Sequence, residues 1–526
     1  MRQNWVQTAQ RRVAMLVLAA ATFGSIPSAG GNEPGAFPLD AHVEQLTIAD
    51  QPFATVFGSG DKLFNAHYNS VDGAGVNLSG DDAVSIRFSR VPRPDLPGFR
   101  ADPFRGTGPN AQSCVACHNQ PADAGAGGLE ANGIRDPRRL GDPAQYIIRN
   151  PLHLFGSGAL QRLAEEATSD LKRIQGEATA RAQSMGADVS APLITANGVN
   201  YGTITVSPSG AVNTSQVRGV DPDLVVKPYF WKGELASFLR ALVRGSAQLE
   251  LGMQPVELVG PDVDADFDGV ANEFSVGDIT AMTMYVAAQP RPVTKIELSR
   301  ELGGKHTLTA AQVSAILQGE KRFQQIGCAE CHRPTMVLKD SLFQEPSGNP
   351  YYRDAQLISG GDPSTIGLDP SRAVKFDLAS NPTVGRAGRD NRNRCLDHRE
   401  LDDSSTGFVS HTGNPRGAGC FPQFESNGRG GILVHLYGDL KRHDMGPALA
   451  DAVDEIGTGV SMWKTRELWG AGSTGPWLHD GRATTLTQAI QLHGGESKEA
   501  RDRFASLDAK ERDDIVNFLK NLVLFK

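Results

Sequence analysis

Cys114-Val115-Ala116-Cys117-His118 and Cys328-Ala329-Glu330-Cys331-His332 carry four of the six cysteines of this 526-residue chain, and both read C-x-x-C-H. Thiols three positions apart project from one side of a helical turn, where each can form a thioether with a haem vinyl group. The adjacent imidazole then lies beneath the iron as its proximal ligand. Two other chemistries use C-x-x-C. A thioredoxin-like pair needs a βαβ context, which neither stretch has, and it leaves the histidine of both copies unexplained. A zinc site of two cysteines and two histidines is a second alternative, but it does not require C-x-x-C-H twice. The doubled motif therefore predicts two covalently bound haem c groups, held by Cys114, Cys117 and His118 and by Cys328, Cys331 and His332.

The N-terminus fits that chemistry. Arg2, Arg11 and Arg12 form a positive region, Val13 to Phe23 is largely apolar, and small residues follow at Ser25, Ser28, Ala29 and Gly30. This is the layout of a secretory signal peptide, assigned to residues 1–29. The apolar run is shorter than the ~20 residues a membrane anchor needs. The pair Arg11-Arg12 resembles a twin-arginine signal, although Gln10 and Val13-Ala14 do not complete it. No other segment is long and apolar enough to span a bilayer, so the expected mature chain has no membrane span and is periplasmic or secreted. In an oxidising compartment the remaining Cys395 and Cys420 are expected to pair, with two free thiols as the alternative.

Length allows two to four domains. Counted with glycine and without tyrosine, about 48% of residues are apolar, within the ordinary globular range. The 58 glycines and 31 prolines mark a loop-rich chain. A formal charge of −8 argues against broad nucleic-acid binding, and no such partner is expected.

The chain also repeats itself. Phe230-Trp231-Lys232-Gly233-Glu234 is followed by Phe238 and Ala241-Leu242, and Leu478-His479-Asp480-Gly481-Arg482 by Leu486 and Ala489-Ile490. With Trp231 aligned to His479, glycine falls at +2, an apolar residue at +7 and an alanine-apolar pair at +10 and +11 in both. A haem motif, loop, glycine turn and helix, used twice, predicts a mainly α fold of two cytochrome c-like haem domains. The boundary is placed at the proline-marked linker Gln289-Pro290-Arg291-Pro292, giving domains at 30–290 and 291–526. Helices are expected over Ile279 to Ala288, Thr309 to Gly327 and Ser506 to Phe525, the second opened by a Thr309–Gln312 capping box. A loop-rich insertion over about 165–228 contains a charged helix, Leu171 to Gln183, and a small β-hairpin, Asn200 to Val217.

Several longer stretches carry a family resemblance. They are Gly108 to Ser113, Phe155-Gly156-Ser157-Gly158, His443-Asp444-Met445-Gly446, and the run from Trp477-Leu478-His479-Asp480-Gly481-Arg482 to His493-Gly494-Gly495-Glu496. Over roughly residues 55 to 525 the chain resembles the bacterial di-haem cytochrome c peroxidase superfamily, in its di-haem oxidoreductase, MauG-like branch. The resemblance implies a peroxide-reacting haem at the first motif, with His118 proximal. It implies an electron-transfer haem at the second, with His332 proximal and a second axial ligand from the same domain. The family's peroxidases use a Met after the His-Asp-Gly turn and its helix; the matching residue here is His493, so bis-His coordination and a lower potential are expected. Met445 is the rival ligand, and His493 as a helix cap with Met445 in the core is the purely structural alternative. His479 is expected to hold the turn or a haem propionate rather than the iron. The resemblance implies an electron relay at Trp231, against simple core packing.

Peroxide chemistry needs a group that takes a proton from the inner peroxide oxygen and delivers it to the outer one. The family's peroxidases place a Glu about twenty residues after the Phe-Trp turn, and Glu250, nineteen after Trp231, is the candidate. A solvated helix-end carboxylate is the alternative, and Glu165 and Glu166 are weaker candidates. The removable distal His of the family has no counterpart in Ala122 to Arg135. Finally, Asp264-Ala265-Asp266-Phe267-Asp268-Gly269 opens like an EF-hand loop, but Ser275 stands where Glu is required. A looser calcium loop of Asp264, Asp266 and Asp268, with Asp278 in reach, is the reading; an acidic solvated turn is the alternative. The function expected is reduction of H₂O₂ with electrons from a small cytochrome c or cupredoxin. The alternatives are a di-haem oxidase or oxygenase acting on an organic or protein substrate, as MauG-type and rubber-cleaving relatives do, and a non-enzymatic electron carrier.

Overall fold

The helix that leads into the second motif starts at its capping box: Thr309 Oγ1 accepts the Gln312 N–H at 3.2 Å, and Gln312 Oε1 accepts the Thr309 N–H at 2.8 Å. Two of the orphan N–H groups of a helix start are satisfied this way. The structure is a computed structural model that describes residues 38–69, 71–75, 111–127, 133–135, 146–233, 238–265, 269–351, 363–383 and 422–524. The leader, Gly108 to Asn110, and Cys395 and Cys420 lie outside the described residues. Among the described residues the helices are α1 Phe53–Asn65, α2 Ser157–Met185, α3 Leu239–Ser246, α4 Val256–Val259, α5 Val276–Ala287, α6 Lys295–Glu301, α7 Ala310–Gln325, α8 Leu486–Gln491, α9 Lys498–Ser506 and α10 Ala509–Asn521. None of them is long and apolar enough to cross a membrane.

The same helix crossing is built twice. In α7, a Cβ on Gly319 would lie 1.9 Å from the Asp514 carbonyl oxygen of α10. Four residues on, Phe323 meets Phe518 with ring centroids 5.3 Å apart. In α1, a Cβ on Gly60 would lie 2.2 Å from the Ala281 carbonyl oxygen of α5, and four residues on Phe64 meets Tyr285 at 5.1 Å. Residues four apart share one helix face, so a glycine lets the backbones touch and the next turn's aromatic locks the crossing. Each crossing precedes or follows one C-x-x-C-H motif and carries an aromatic to its histidine: Phe64 lies 6.2 Å from His118 and Phe323 lies 6.2 Å from His332.

The larger apolar core gathers α1, α2 and α5 and takes in Met336, Leu338, Phe343, Ile432 and Val434 from the second half. A smaller core around Phe323, Phe504, Ile515 and Phe518 backs the second motif. A buried ion network also ties distant segments together, with Arg240 of α3 bound to Glu257 at 2.9 Å and to Glu345 at 3.1 Å.

Three expectations change. The small hairpin is a three-stranded antiparallel sheet, because Val189–Ile194 pairs with Asn200–Val206, which pairs with Val212–Val217. Val189–Ile194 alternates buried and exposed side chains as a half-buried strand should. The charged helix is the second half of the 29-residue α2, whose first half is buried against the core. Asp278 is not available to the acidic loop. It is fully buried and closes a capping box with Ser275 at the start of α5, while also accepting the Val43 N–H at 2.9 Å. Of the acidic loop itself, Asp266 and Asp268 lie outside the described residues, and Asp264 Oδ2 accepts the Gly269 N–H at 3.0 Å.

Candidate functional site

Each C-x-x-C begins as one 3₁₀ turn, Cys114–Ala116 and Cys328–Glu330, the first capped by Ser113. None of these four cysteines is in a disulfide. The histidines that follow are held alike: His118 Nδ1 donates to the Gly125 carbonyl at 3.2 Å and His332 Nδ1 to the Tyr437 carbonyl at 3.2 Å. Burial lowers the pKa of both; for His332 burial first, then the neighbouring His493, brings it down to about 4. Because a carbonyl can only accept, each bond places a proton on Nδ1, and Nε2 is the nitrogen that would bind a metal.

His493 faces His332. Their ring centroids are 6.4 Å apart with planes tilted by 49°, and His493 Nδ1 donates to the Ala489 carbonyl at 2.8 Å. Two imidazoles sharing one metal through bonds of about 2 Å have centroids about 6 Å apart. The pair therefore fits a six-coordinate haem iron. Met445 lines the same cavity, but its Sδ receives the Ser497 hydroxyl at 3.9 Å. The cavity is lined by Cys328, Cys331, His332 and His493 and also by Ala126, Leu152 and Trp231.

The two residues that the sequence repeat aligns meet in space. Trp231 and His479 stand edge to face with centroids 6.4 Å apart. Their turns have the same backbone: Phe230 and Leu478 have φ of 60° and 74°, and Gly233 and Gly481 have φ of 62° and 68°. Left-handed phenylalanine and leucine are costly, so the same strain at matched positions marks a shared turn. Asn150 joins the two turns, its carbonyl accepting Trp231 Nε1–H at 2.9 Å and its N–H donating to the His479 carbonyl at 2.6 Å. On its other face His479 stacks on Trp463 at 3.9 Å and 16°, and its Nε2 lies 3.4 Å from Asp451. Lys232 and Arg149 sit over Trp463 at 4.4 and 5.1 Å, and Arg149 pairs with Asp451 at 2.7 Å. Asn150, Trp463, Arg149 and Asp451 escaped the sequence reading. Only the doubled glycine turn pointed to their neighbourhood.

Glu250 is half-buried in a π-helical turn, Ala247–Leu251, and its carbonyl accepts the Ala111 N–H at 3.0 Å. It lies on the side of the first motif: burial, then the charges of Cys117, Asp123 and Glu250, push the Cys114 thiol up to about 12. Glu165 and Glu166 are engaged elsewhere. Glu165 accepts from Gln161 at 2.9 Å and Ser347 at 2.7 Å, and Glu166 accepts the Lys339 and Asp340 N–H groups at 2.9 Å.

No curated protein sequence matches the chain. Among solved structures, hydrazine synthase from Kuenenia stuttgartiensis, pressurised with xenon, is 17% identical over 64% of this chain and 76% of its own, with a TM-score of 0.24. A MauG-like protein associated with microbial copper homeostasis is 13% identical over 71% of this chain and 91% of its own, with a TM-score of 0.25. Neither likeness is close enough to carry an argument. Residues 426–522, which hold His443, His479 and His493, match the family described as di-haem oxidoreductase, putative peroxidase. Through these residues the C-terminal part of the chain is similar to the di-haem oxidoreductases.

Proposed function

We propose that the chain is an exported di-haem c-type cytochrome that reduces hydrogen peroxide with electrons from a small redox protein, a cytochrome c or a cupredoxin. The observation that carries this reading is the facing pair His332 and His493, 6.4 Å apart. Two imidazole ligands would close one centre to peroxide and suit it to electron transfer, which leaves the first motif for the reaction. Bound haem supplies the one-electron redox chemistry, attached through Cys114 and Cys117 and through Cys328 and Cys331.

The chain's own residues have the remaining tasks. His118 and His332 present neutral Nε2 atoms. Trp231, in edge contact with His479 and fixed through its indole N–H by Asn150, is the relay between the two motifs. Glu250, beside the first motif, is the group that moves a proton between the two peroxide oxygens. Asp264, Asp266 and Asp268 are a calcium loop in this reading, and Cys395 and Cys420 a disulfide. The proposed haem domains are residues 30–290 and 291–526, consistent with the doubled helix crossing.

The test is oxidation of reduced cytochrome c by H₂O₂, catalysed by the purified holoprotein, followed at the donor's visible band. Turnover at two donor electrons per peroxide is expected, and a Glu250→Gln variant should lose about 10²-fold or more in rate. A wild-type protein that carries both haems and leaves the donor reduced would remove the peroxidase reading.

A further inference from the structure

The motif His443-Asp444-Met445-Gly446 is left without a role by that reading, and its geometry suggests one. His443 is buried, and both of its ring nitrogens meet carboxylates: Nε2 lies 2.9 Å from Asp439 Oδ2 and Nδ1 lies 2.7 Å from Glu496 Oε2. The second oxygen of Glu496 accepts the Asp444 N–H at 3.0 Å. An imidazole between two carboxylates holds both protons and binds each by a charge-assisted hydrogen bond.

The two ends of this chain of bonds belong to the segments that hold His332 and His493. Asp439 is two residues from Tyr437, whose carbonyl orients His332. Glu496 is three residues from His493. The imidazole between them passes the second motif itself, 3.9 Å from Cys331 Sγ. The backbones also touch: a Cβ on Gly495 would lie 2.1 Å from the Asp444 carbonyl oxygen, and one on Gly446 would lie 2.7 Å from the Gly495 nitrogen. The glycines of His-Asp-Met-Gly and His-Gly-Gly-Glu are therefore two sides of one contact. Side-chain atoms of Cys331, Asp439 and His443 also lie within 4.8 Å of one another, as a metal site would require. Both His443 nitrogens are already committed to carboxylates, so that cluster does not offer a third free ligand.

We propose that Asp439, His443 and Glu496 form a strut that sets the separation of His332 and His493, so that the second haem stays six-coordinate and closed to small ligands. The three are positioning residues acting through His493. The proposal rests on the assignment of His332 and His493 as the axial pair. Glu496 is the end to cut, because its side chain is 51% exposed and its loss leaves no cavity in the core.

The experiment uses full-length holoprotein and reads low-temperature EPR together with cyanide binding at the second haem. In wild type a low-spin bis-imidazole signal that resists cyanide is expected. Glu496→Ala should convert part of that signal to high spin and raise cyanide affinity by about tenfold, the lower end of the effect of removing an outer partner of a metal-bound histidine. Glu496→Gln, which keeps one of the two hydrogen bonds, should do the same to a smaller degree and stands in if the alanine variant fails to fold. Folded variants with the wild-type signal and cyanide affinity would overturn the strut alone. A wild type without a bis-imidazole signal would overturn the axial assignment and the strut with it, while the peroxide assay above would still decide the enzyme reading.

Discussion

Gly319→Ala tests whether the helix crossing positions the second centre. The added Cβ would lie 1.9 Å from the Asp514 carbonyl oxygen, 2.4 Å from its carbon and 3.0 Å from the Ile515 nitrogen. A carbon–oxygen contact settles at about 3.3 Å, so α7 and α10 must separate by roughly 1.4 Å at this point. A gap of about 0.5–1 Å already forfeits a quarter to a half of the dispersion well for atoms on both faces. Overpacking of this kind costs about 1–3 kcal/mol, and the steric gap puts Gly319 at the upper end. Replacing a mid-helix glycine returns about 1 kcal/mol of helix propensity, leaving a net loss of about 2 kcal/mol. Gly176, exposed in the middle of α2 with nothing within 4 Å of its would-be Cβ, is the matched control. Gly176→Ala has the same chemistry without the clash and should gain about 0.5–1 kcal/mol. Denaturant unfolding of both holoproteins, followed by far-UV circular dichroism, measures the difference. The Soret band of Gly319→Ala should also shift, because Phe323, which touches His332, rides on the same helix. Equal stabilities for the two variants would refute the argument that the glycine is there for backbone contact.

Three further outcomes follow from the site. His493→Met exchanges an imidazole for a thioether facing His332, and potentiometric titration should show the second haem's potential rising; an unchanged potential would mean His493 is not a ligand. Trp231→Phe removes the indole N–H bond to Asn150 and an easily oxidised ring. Stopped-flow electron transfer between the haems should slow by about tenfold with donor affinity unchanged, and loss of donor affinity alone would place Trp231 in packing or docking instead. Asp451 is pulled the other way from what burial alone would do: hydrogen bonds and charge from His479 and Arg149 bring it down from 3.8 to about 2. A depressed carboxylate stabilises the fold above its unfolded pKa, so this contribution is complete above pH ~4 and lost as pH falls toward ~2. Asp451→Asn should therefore be less stable than wild type near neutrality, with the difference shrinking across that window in acid unfolding; a difference constant with pH would contradict the ion-pair account.

How far the chain could be read without its structure depended on whether the signal was local. Thr309 and Gln312 stand three residues apart, and a capping box needs nothing else, so the start of α7 was legible. The doubled glycine turn was legible for the same reason: the left-handed φ at Gly233 and Gly481 is demanded by the turn alone. The strand Val189–Ile194 was missed because its alternation is short and its partner lies beyond an intervening turn. The acidic run suggested one calcium loop with Asp278 in reach, yet Asp278 spends its carboxylate on Ser275, Val43 and His42. Spacing along the chain cannot reveal such competition between partners.

By itself, then, the sequence determined the two C-x-x-C-H motifs, the repeated turn and the start of α7, since each is set by neighbours within a few residues. Only the tertiary structure decided which groups meet: His493 with His332, Trp231 against His479, and His443 between Asp439 and Glu496. Those contacts join residues up to 248 positions apart in the chain, and they are selected by helix crossings that close only where Gly60 and Gly319 let backbones touch. No local pattern encodes a distance of that kind; packing does.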